Sequence, residues 1–173
     1  MKKTMLAAAV GVALLAALFA WANASPAPLS PGTKIDRVLV LKSQHRLFLL
    51  DRGRSVASFP VALGRGPSGP KVREGDGRTP EGVYTIDFHN SASAFYRSLH
   101  VSYPQARDVA RARRLGASPG GSIMVHGLPP RLAFVGRLQR LADWTNGCIA
   151  LSNPEMRQVF NAVRDGTQIE IRP

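Results

Sequence analysis

This chain of 173 residues has a single cysteine, Cys148. It can form no internal disulfide, and it lacks the cysteine pairs of a zinc cage, which needs about three or four ligands. Histidine is also scarce, at four residues, and His45, His89 and His100 have no metal-ligand spacing with Cys148 or His126. No metal site and no cofactor are therefore expected. Acidic residues are few, 11 against 23 Lys and Arg, so the net charge is +12. Aromatic residues make up only 7%. The arginines Arg37, Arg52, Arg54, Arg65, Arg97 and Arg137 are scattered and lack the aromatic interleaving of a nucleic-acid module. A solvated basic surface facing an anionic cell envelope is the plainer reading, with no nucleic-acid partner.

Long apolar runs are missing except at the start. Lys2 and Lys3 precede an uncharged run from Met5 to Ala20, and Ala22-Asn23-Ala24 then supplies the small residues a signal peptidase reads. Residues 1–24 are read as a signal peptide cleaved before Ser25, which places the protein in the periplasm. The alternative is an uncleaved anchor, which needs about 20 apolar residues; that would be the only membrane contact. Cleavage leaves 149 residues, enough for one domain with a core, at a net charge of +10. Residues 25–33 hold three prolines and read as a linker, and 34–173 as the domain.

A lone cysteine is most often a small buried hydrophobe. Cys148 departs from that pattern because Thr145, Asn146 and Gly147 beside it are turn chemistry. A free thiol in an oxidising compartment also needs a reason. His126, in Ile123-Met124-Val125-His126-Gly127, supplies the imidazole that a thiolate nucleophile requires. The two lie 22 positions apart, too far for one helical face, so both stretches read as strand ends meeting in a sheet. Gly147 removes a side chain just before the sulfur and leaves backbone N–H groups open to an acyl oxygen.

The rest of the chain reads mainly as strands. Residues 37–42, 46–51 and 55–63 form an antiparallel meander, with Pro60 marking the third run as an edge or bulged strand. Gly64-Arg65-Gly66-Pro67-Ser68-Gly69 matches a dinucleotide fingerprint in letters only, because Pro67 and Pro70 interrupt the helix it must open. Residues 64–78 therefore read as a long surface loop. Strands are expected at 83–87, 99–103, 123–125 and 168–171. Helices are expected at 108–115, with Arg107, Arg111 and Arg114 on a solvated face, at 132–141 with an apolar stripe, and at 154–163 with Asn153 as N-cap.

Thr79-Pro80-Glu81-Gly82, the strand ending His126-Gly127, and Thr145-Asn146-Gly147-Cys148-Ile149 together resemble the L,D-transpeptidase (YkuD) catalytic domain. The segments Arg73–Gly82 and Asp143–Cys148 resemble its YafK-type branch. The resemblance covers residues 34–173 and implies a mainly β (α+β) fold, a sandwich or open barrel with short peripheral helices. It implies acyl transfer on peptidoglycan stem peptides, with Cys148 as nucleophile, His126 as base and the Gly127 carbonyl orienting the imidazole. The oxyanion would be held near Gly147 and Cys148, and Trp144, Thr145 and Asn146 would contact substrate. Cross-links, unusual ones included, would form through a Cys148 thioester. Hydrolysis at diaminopimelate, as by an amidase that releases an envelope protein from murein, is the alternative. A non-catalytic murein-binding module is a third. The common family motif carries a histidine where Asn146 stands and an arginine where Ala150 stands. Arg78 is the candidate to replace that arginine.

Overall fold

A computed structural model of the chain describes residues 2–173. An apolar helix, α1 (Lys2–Asn23), precedes the domain. By length and composition it is the one helix among the described residues able to cross a membrane. Its last turn rests on the domain: Ala22 is 1% exposed, Asn23 Nδ2 donates to the Phe134 carbonyl, and Arg137 donates to the Trp21 and Ala24 carbonyls. Residues 25–33 lie along a later helix, where Arg157 donates to Ser25 Oγ and Gln158 to the Ala27 carbonyl.

The meander is present as β1 (Arg37–Leu41), β2 (Arg46–Asp51) and β3 (Arg54–Pro60). The turn from β2 to β3 places Arg52 and Gly53 at φ 50° and 77°. Two positive φ values in a two-residue loop match the right-handed twist of the flanking strands. Five more strands follow: β4 (Gly82–Ser93), β5 (Tyr96–Val101), β6 (Met124–His126), β7 (Ile149–Ala150) and β8 (Gln168–Arg172). They form one mixed sheet in the order β3-β2-β1-β8-β4-β5-β6-β7. β1 runs parallel to β8 and β6 parallel to β7; the other neighbours are antiparallel. β3 lies at the sheet edge, as its proline requires. Beyond β3 the chain turns to the opposite edge, where Ala62 bridges Ala150 and Gly64 bridges Thr145. The two edges thus meet, and the sheet curls into an open barrel.

Alternating apolar residues fill the interior. Val38, Val40, Leu47, Leu49, Tyr84, Ile86, Leu99, Val101, Ile169 and Ile171 are at most 1% exposed. Each such side chain stabilises the fold by about 1.5–3 kcal/mol on transfer from water. Tyr84 carries its hydroxyl into this core, where it reaches the Asp108 carboxylate and donates to the Glu81 carbonyl at 3.2 Å. Burial raises its pKa to about 12.

Three helical expectations shift. The helix expected at 108–115 is α2 (Ala106–Arg113), and Asp108 is its third residue, in a capping box with Gln105. Arg107 and Arg114 are exposed, Arg107 also stacking on the Tyr84 ring and donating to the Val83 carbonyl, whereas Arg111 is half-buried and donates to the Lys71 carbonyl at 3.4 Å. α3 (Asn153–Ala162) is capped one residue earlier than expected, by Ser152 with Glu155. Asn153 instead accepts the Leu128 N–H at 2.7 Å. Pro130–Leu141 is a kinked 3-10 segment rather than an amphipathic α-helix. It breaks at Gly136, and the stripe residues Leu132 and Leu141 are exposed. Gly136 has φ 53° because α1 lies against it; an added Cβ would collide with the Ala22 carbonyl.

Candidate active site

Strand pairing brings the two chemistry-bearing stretches together. β6 lies between β5 and β7, so His126 pairs with Ser98 on one side and Ala150 on the other. Cys148 precedes Ala150 by two residues and stands at the mouth of the same sheet edge. Both line a cleft of about 410 Å³ with Ser122, Met124, Trp144, Thr145, Asn146 and the tip of the β4–β5 hairpin around Phe95.

His126 is 5% exposed, and its Nδ1 donates to the Gly127 carbonyl at 2.6 Å. That bond fixes the tautomer and leaves Nε2 as the basic nitrogen. Gly127 is needed for packing: a Cβ there would sit 2.6 Å from Asn153 Oδ1 and 3.1 Å from the Tyr96 ring. Aromatic rings cover the imidazole. Phe95 lies 4.8 Å away and Trp144 5.7 Å away, centroid to centroid. Burial pushes His126 below the usual imidazole pKa, against the pull of the Gly127 carbonyl.

Cys148 is half-buried, and its Sγ lies 3.6 Å from the Ser122 carbonyl, which accepts the thiol proton. Burial pushes the thiol pKa up, while the Met124 backbone and the Lys71 charge pull it down. Burial is the larger influence.

A local knot sets the sulfur. Thr145, 4% exposed, accepts the Gly147 N–H at 3.1 Å and donates to the Cys148 carbonyl at 2.7 Å. Its backbone exchanges bonds with Leu63 and Arg65. Gly147 has φ 126°, a conformation L side chains rarely adopt, and a Cβ there would meet the Arg78 carbonyl at 2.6 Å. Asp143 accepts the Leu63 N–H at 2.7 Å and pairs with His45 at 3.0 Å. Trp144 donates to Gln139 at 2.7 Å, and Gln139 donates to the Ala150 carbonyl at 3.1 Å.

The expected site residues thus divide. Cys148, His126, Trp144, Thr145 and Asn146 line the cleft, and Gly127 and Gly147 shape it from behind. Arg78 is not among the lining residues. Its guanidinium donates to the Pro70 carbonyl at 3.5 Å, and its buried Nε has no hydrogen-bond partner among the described residues. Ala150 is fully buried. His89 and His100 pair with Asp165 and Asp87, outside the cleft lining. Phe95 and Gln139 carried no readable signal in sequence, since neither sits in a motif. Both reach the site only through the hairpin and the 3-10 segment.

The model of the L,D-transpeptidase catalytic domain, YkuD, matches residues 35–171. The chain belongs to the L,D-transpeptidase catalytic domain family. Among curated proteins it is 27% identical over 109 residues to YafK of Escherichia coli (strain K12), named as a candidate L,D-transpeptidase. That match covers 61% of this chain but 36% of YafK, so the chain spans about a third of that relative's length. Among solved structures, the helical cell shape determining protein Pgp2 from Campylobacter jejuni aligns with a TM-score of 0.60 at 21% identity, covering 89% of this chain and 53% of Pgp2. The L,D-transpeptidase of Xylanimonas cellulosilytica aligns with a TM-score of 0.53 at 17% identity, covering 85% and 65%. At these identities the two structures show a shared fold.

Proposed function

We propose that this L,D-transpeptidase-family protein is an exported cysteine acyltransferase that acts on peptidoglycan stem peptides. The observation that carries the proposal is the single cleft in which the Cys148 thiol and the buried, tautomer-fixed His126 lie together. His126 Nε2 takes the thiol proton as sulfur attacks a peptide carbonyl next to diaminopimelate. The Gly147 N–H is already donated to Thr145, so the N–H of Cys148 itself is the donor left for the oxyanion. Collapse expels the amine, which leaves with the proton from His126, and a thioester remains on Sγ. A second amine then attacks, releasing the thiol and forming a cross-link. Trp144 and Asn146 contact the stem, and Thr145 holds the turn. Arg78 remains the loop arginine proposed to meet a stem carboxylate, which requires its guanidinium to leave the Pro70 carbonyl.

Hydrolysis is the second reading, in which water takes the place of the amine and a murein-attached envelope protein can be the released partner. Both readings share the acylation step, and Ala150, where the family carries an arginine for the donor stem, alters how that stem is held in either. Export is the reading we give the apolar α1 segment. Cleavage before Ser25 places the domain in the periplasm and releases the contacts that the Ala22 region makes with Arg137. Mass spectrometry of murein from cells with and without the gene separates the readings. New cross-linked muropeptides support transfer, trimmed or protein-free stems support hydrolysis, and an unchanged murein contradicts both.

A further inference from the structure

Buried polar side chains in this domain hold hydrogen bonds, with one exception that opens into the cleft. Thr79, Asp108, Gln139, Thr145, Ser152 and Glu155 are at most 9% exposed, and each is bonded. Ser98 on β5 is 1% exposed, and its hydroxyl has no hydrogen-bond partner among the described residues. It lines the cleft together with His126 and Cys148. A hydroxyl buried without a partner destabilises a fold. Valine would suit the strand without that cost, so folding alone does not explain a serine here.

The strand register places this hydroxyl. The Gly127 N–H donates to the Arg97 carbonyl at 3.2 Å, so these two residues form a hydrogen-bonded pair of the antiparallel ladder. The next pair, Ser98 with His126, is therefore a non-hydrogen-bonded one, the kind whose side chains lie closer together. β7, into which Cys148 leads, lies on the other side of β6. Cys148 and Ser98 thus stand on opposite sides of the strand that carries the imidazole. A carbonyl attacked by Sγ puts its leaving nitrogen at His126, which must protonate it. Atoms beyond that nitrogen then lie over β5. None of the residues lining the cleft is Lys, Arg, Asp or Glu. An oxygen on the leaving residue must therefore be met by a neutral donor. Asn90 Oδ1 and Ser93 Oγ are engaged in local turns at the hairpin tip, whereas the Ser98 O–H is uncommitted.

We propose that Ser98 is a specificity-determining residue on the leaving-group side of the scissile bond. Its hydroxyl donates to a carboxyl or carbonyl oxygen of the residue whose amine departs. When an amine acceptor attacks the thioester, it enters by the same side and meets the same hydroxyl. This role rests on the acyl-transfer reading of Cys148 and His126.

The test compares two donors on the purified full-length protein: a diaminopimelate-containing stem tetrapeptide, and the same stem with its last residue replaced by ethylamine. Both require cleavage of the same amide and the same proton from His126, but the ethylamide offers Ser98 no oxygen. Release of the leaving amine, read by mass spectrometry, gives kcat/KM for each. The wild type should favour the tetrapeptide by about tenfold, the scale of one hydrogen bond. Ser98→Ala should lose that preference by slowing with the tetrapeptide alone. Its Tm should match or exceed the wild type, because no bond within the fold is removed, and iodoacetamide should alkylate Cys148 at an unchanged rate. A Ser98→Ala variant that keeps the wild-type preference overturns the role, and so does an equal loss on both donors. A wild type that releases amine from neither donor sinks the acyl-transfer reading, and this role with it. A wild type active on the tetrapeptide with an equally active Ser98→Ala variant sinks only the role of Ser98.

Discussion

The two walls of the cleft are built in opposite ways. The wall carrying Cys148 is a turn fastened at Asp143, Trp144, Thr145 and Gly147: side chains of the first three hold polar partners, and Gly147 fits against a backbone carbonyl. The facing wall is the tip of the β4–β5 hairpin. There the strand register slips between Asn90 and Ser93, Tyr96 takes φ 66°, and Phe95 stays 40% exposed. Polar bonds at this tip are local, such as Phe95 N–H to Ser93 Oγ at 3.2 Å. The difference separates two tasks. Chemistry needs a sulfur fixed to within fractions of an ångström, and the fastened wall supplies that. Covering a substrate needs an exposed apolar surface, and Phe95 at the hairpin tip supplies that.

Variants on the two walls should therefore behave differently. On the chemical side, His126→Ala should lower acylation by roughly 10²–10⁴, the usual contribution of a general base. Stopped-flow acylation by a stem peptide measures it. Because burial holds His126 below the ordinary imidazole range, the acid limb of the wild-type rate should also fall below pH 6.5, the ordinary value. An acid limb above that value would mean the imidazole is not buried in solution.

Behind the fastened wall, Asp76 predicts how that wall fails in acid. Burial alone would raise its pKa, but the Lys71 ammonium and three backbone N–H groups outweigh burial and hold it at about 2 against an ordinary 3.8. A carboxylate with a lowered pKa contributes stability that is present above its unfolded value and is lost as pH falls toward the folded one. The wild type should thus lose about 2 kcal/mol between about pH 4 and pH 2. Asp76→Asn should flatten that part of the stability curve, and urea unfolding across the range shows whether it does.

Thr145→Ala leaves the buried Gly147 N–H without an acceptor and should cost about 1–3 kcal/mol. Thermal unfolding reads the loss, and Thr145→Ser should recover most of it. The smallest effect belongs to the hairpin wall. Phe95→Ala should raise KM for the stem peptide by several-fold, while leaving Tm and the alkylation rate of Cys148 near the wild type. A Tm loss as large as that of Thr145→Ala would erase the contrast between the walls.

Much of this architecture was legible in the residues. Apolar alternation placed β1 to β3, β6 and β8, and Pro60 placed β3 at an edge. Motif spacing picked out Cys148 and His126, which the sheet then brings into one cleft. What was not legible depends on contacts between distant segments. β4 continues well past Asp87 because β5 pairs with it, yet its far half holds no fully buried residue and shows no apolar period. The 130–141 stripe suggested an α-helix, but Gly136 yields to the end of α1 and the segment breaks. The loop at 64–78 read as surface, because nothing in a Gly- and Pro-rich run announces that Lys71 and Asp76 turn inward to pair. The raised thiol pKa was not legible for the same reason, since net charge is visible in a sequence and desolvation is not.

The central claim is that Cys148 carries the acyl group. Intact mass of the purified protein, quenched seconds after mixing with a diaminopimelate-containing stem tetrapeptide, tests it directly. The account predicts one adduct per chain, localised to Cys148 by peptide mapping, labile to hydroxylamine and absent from Cys148→Ala. Turnover of the stem peptide by a folded Cys148→Ala variant, or an adduct on any other residue, would contradict it.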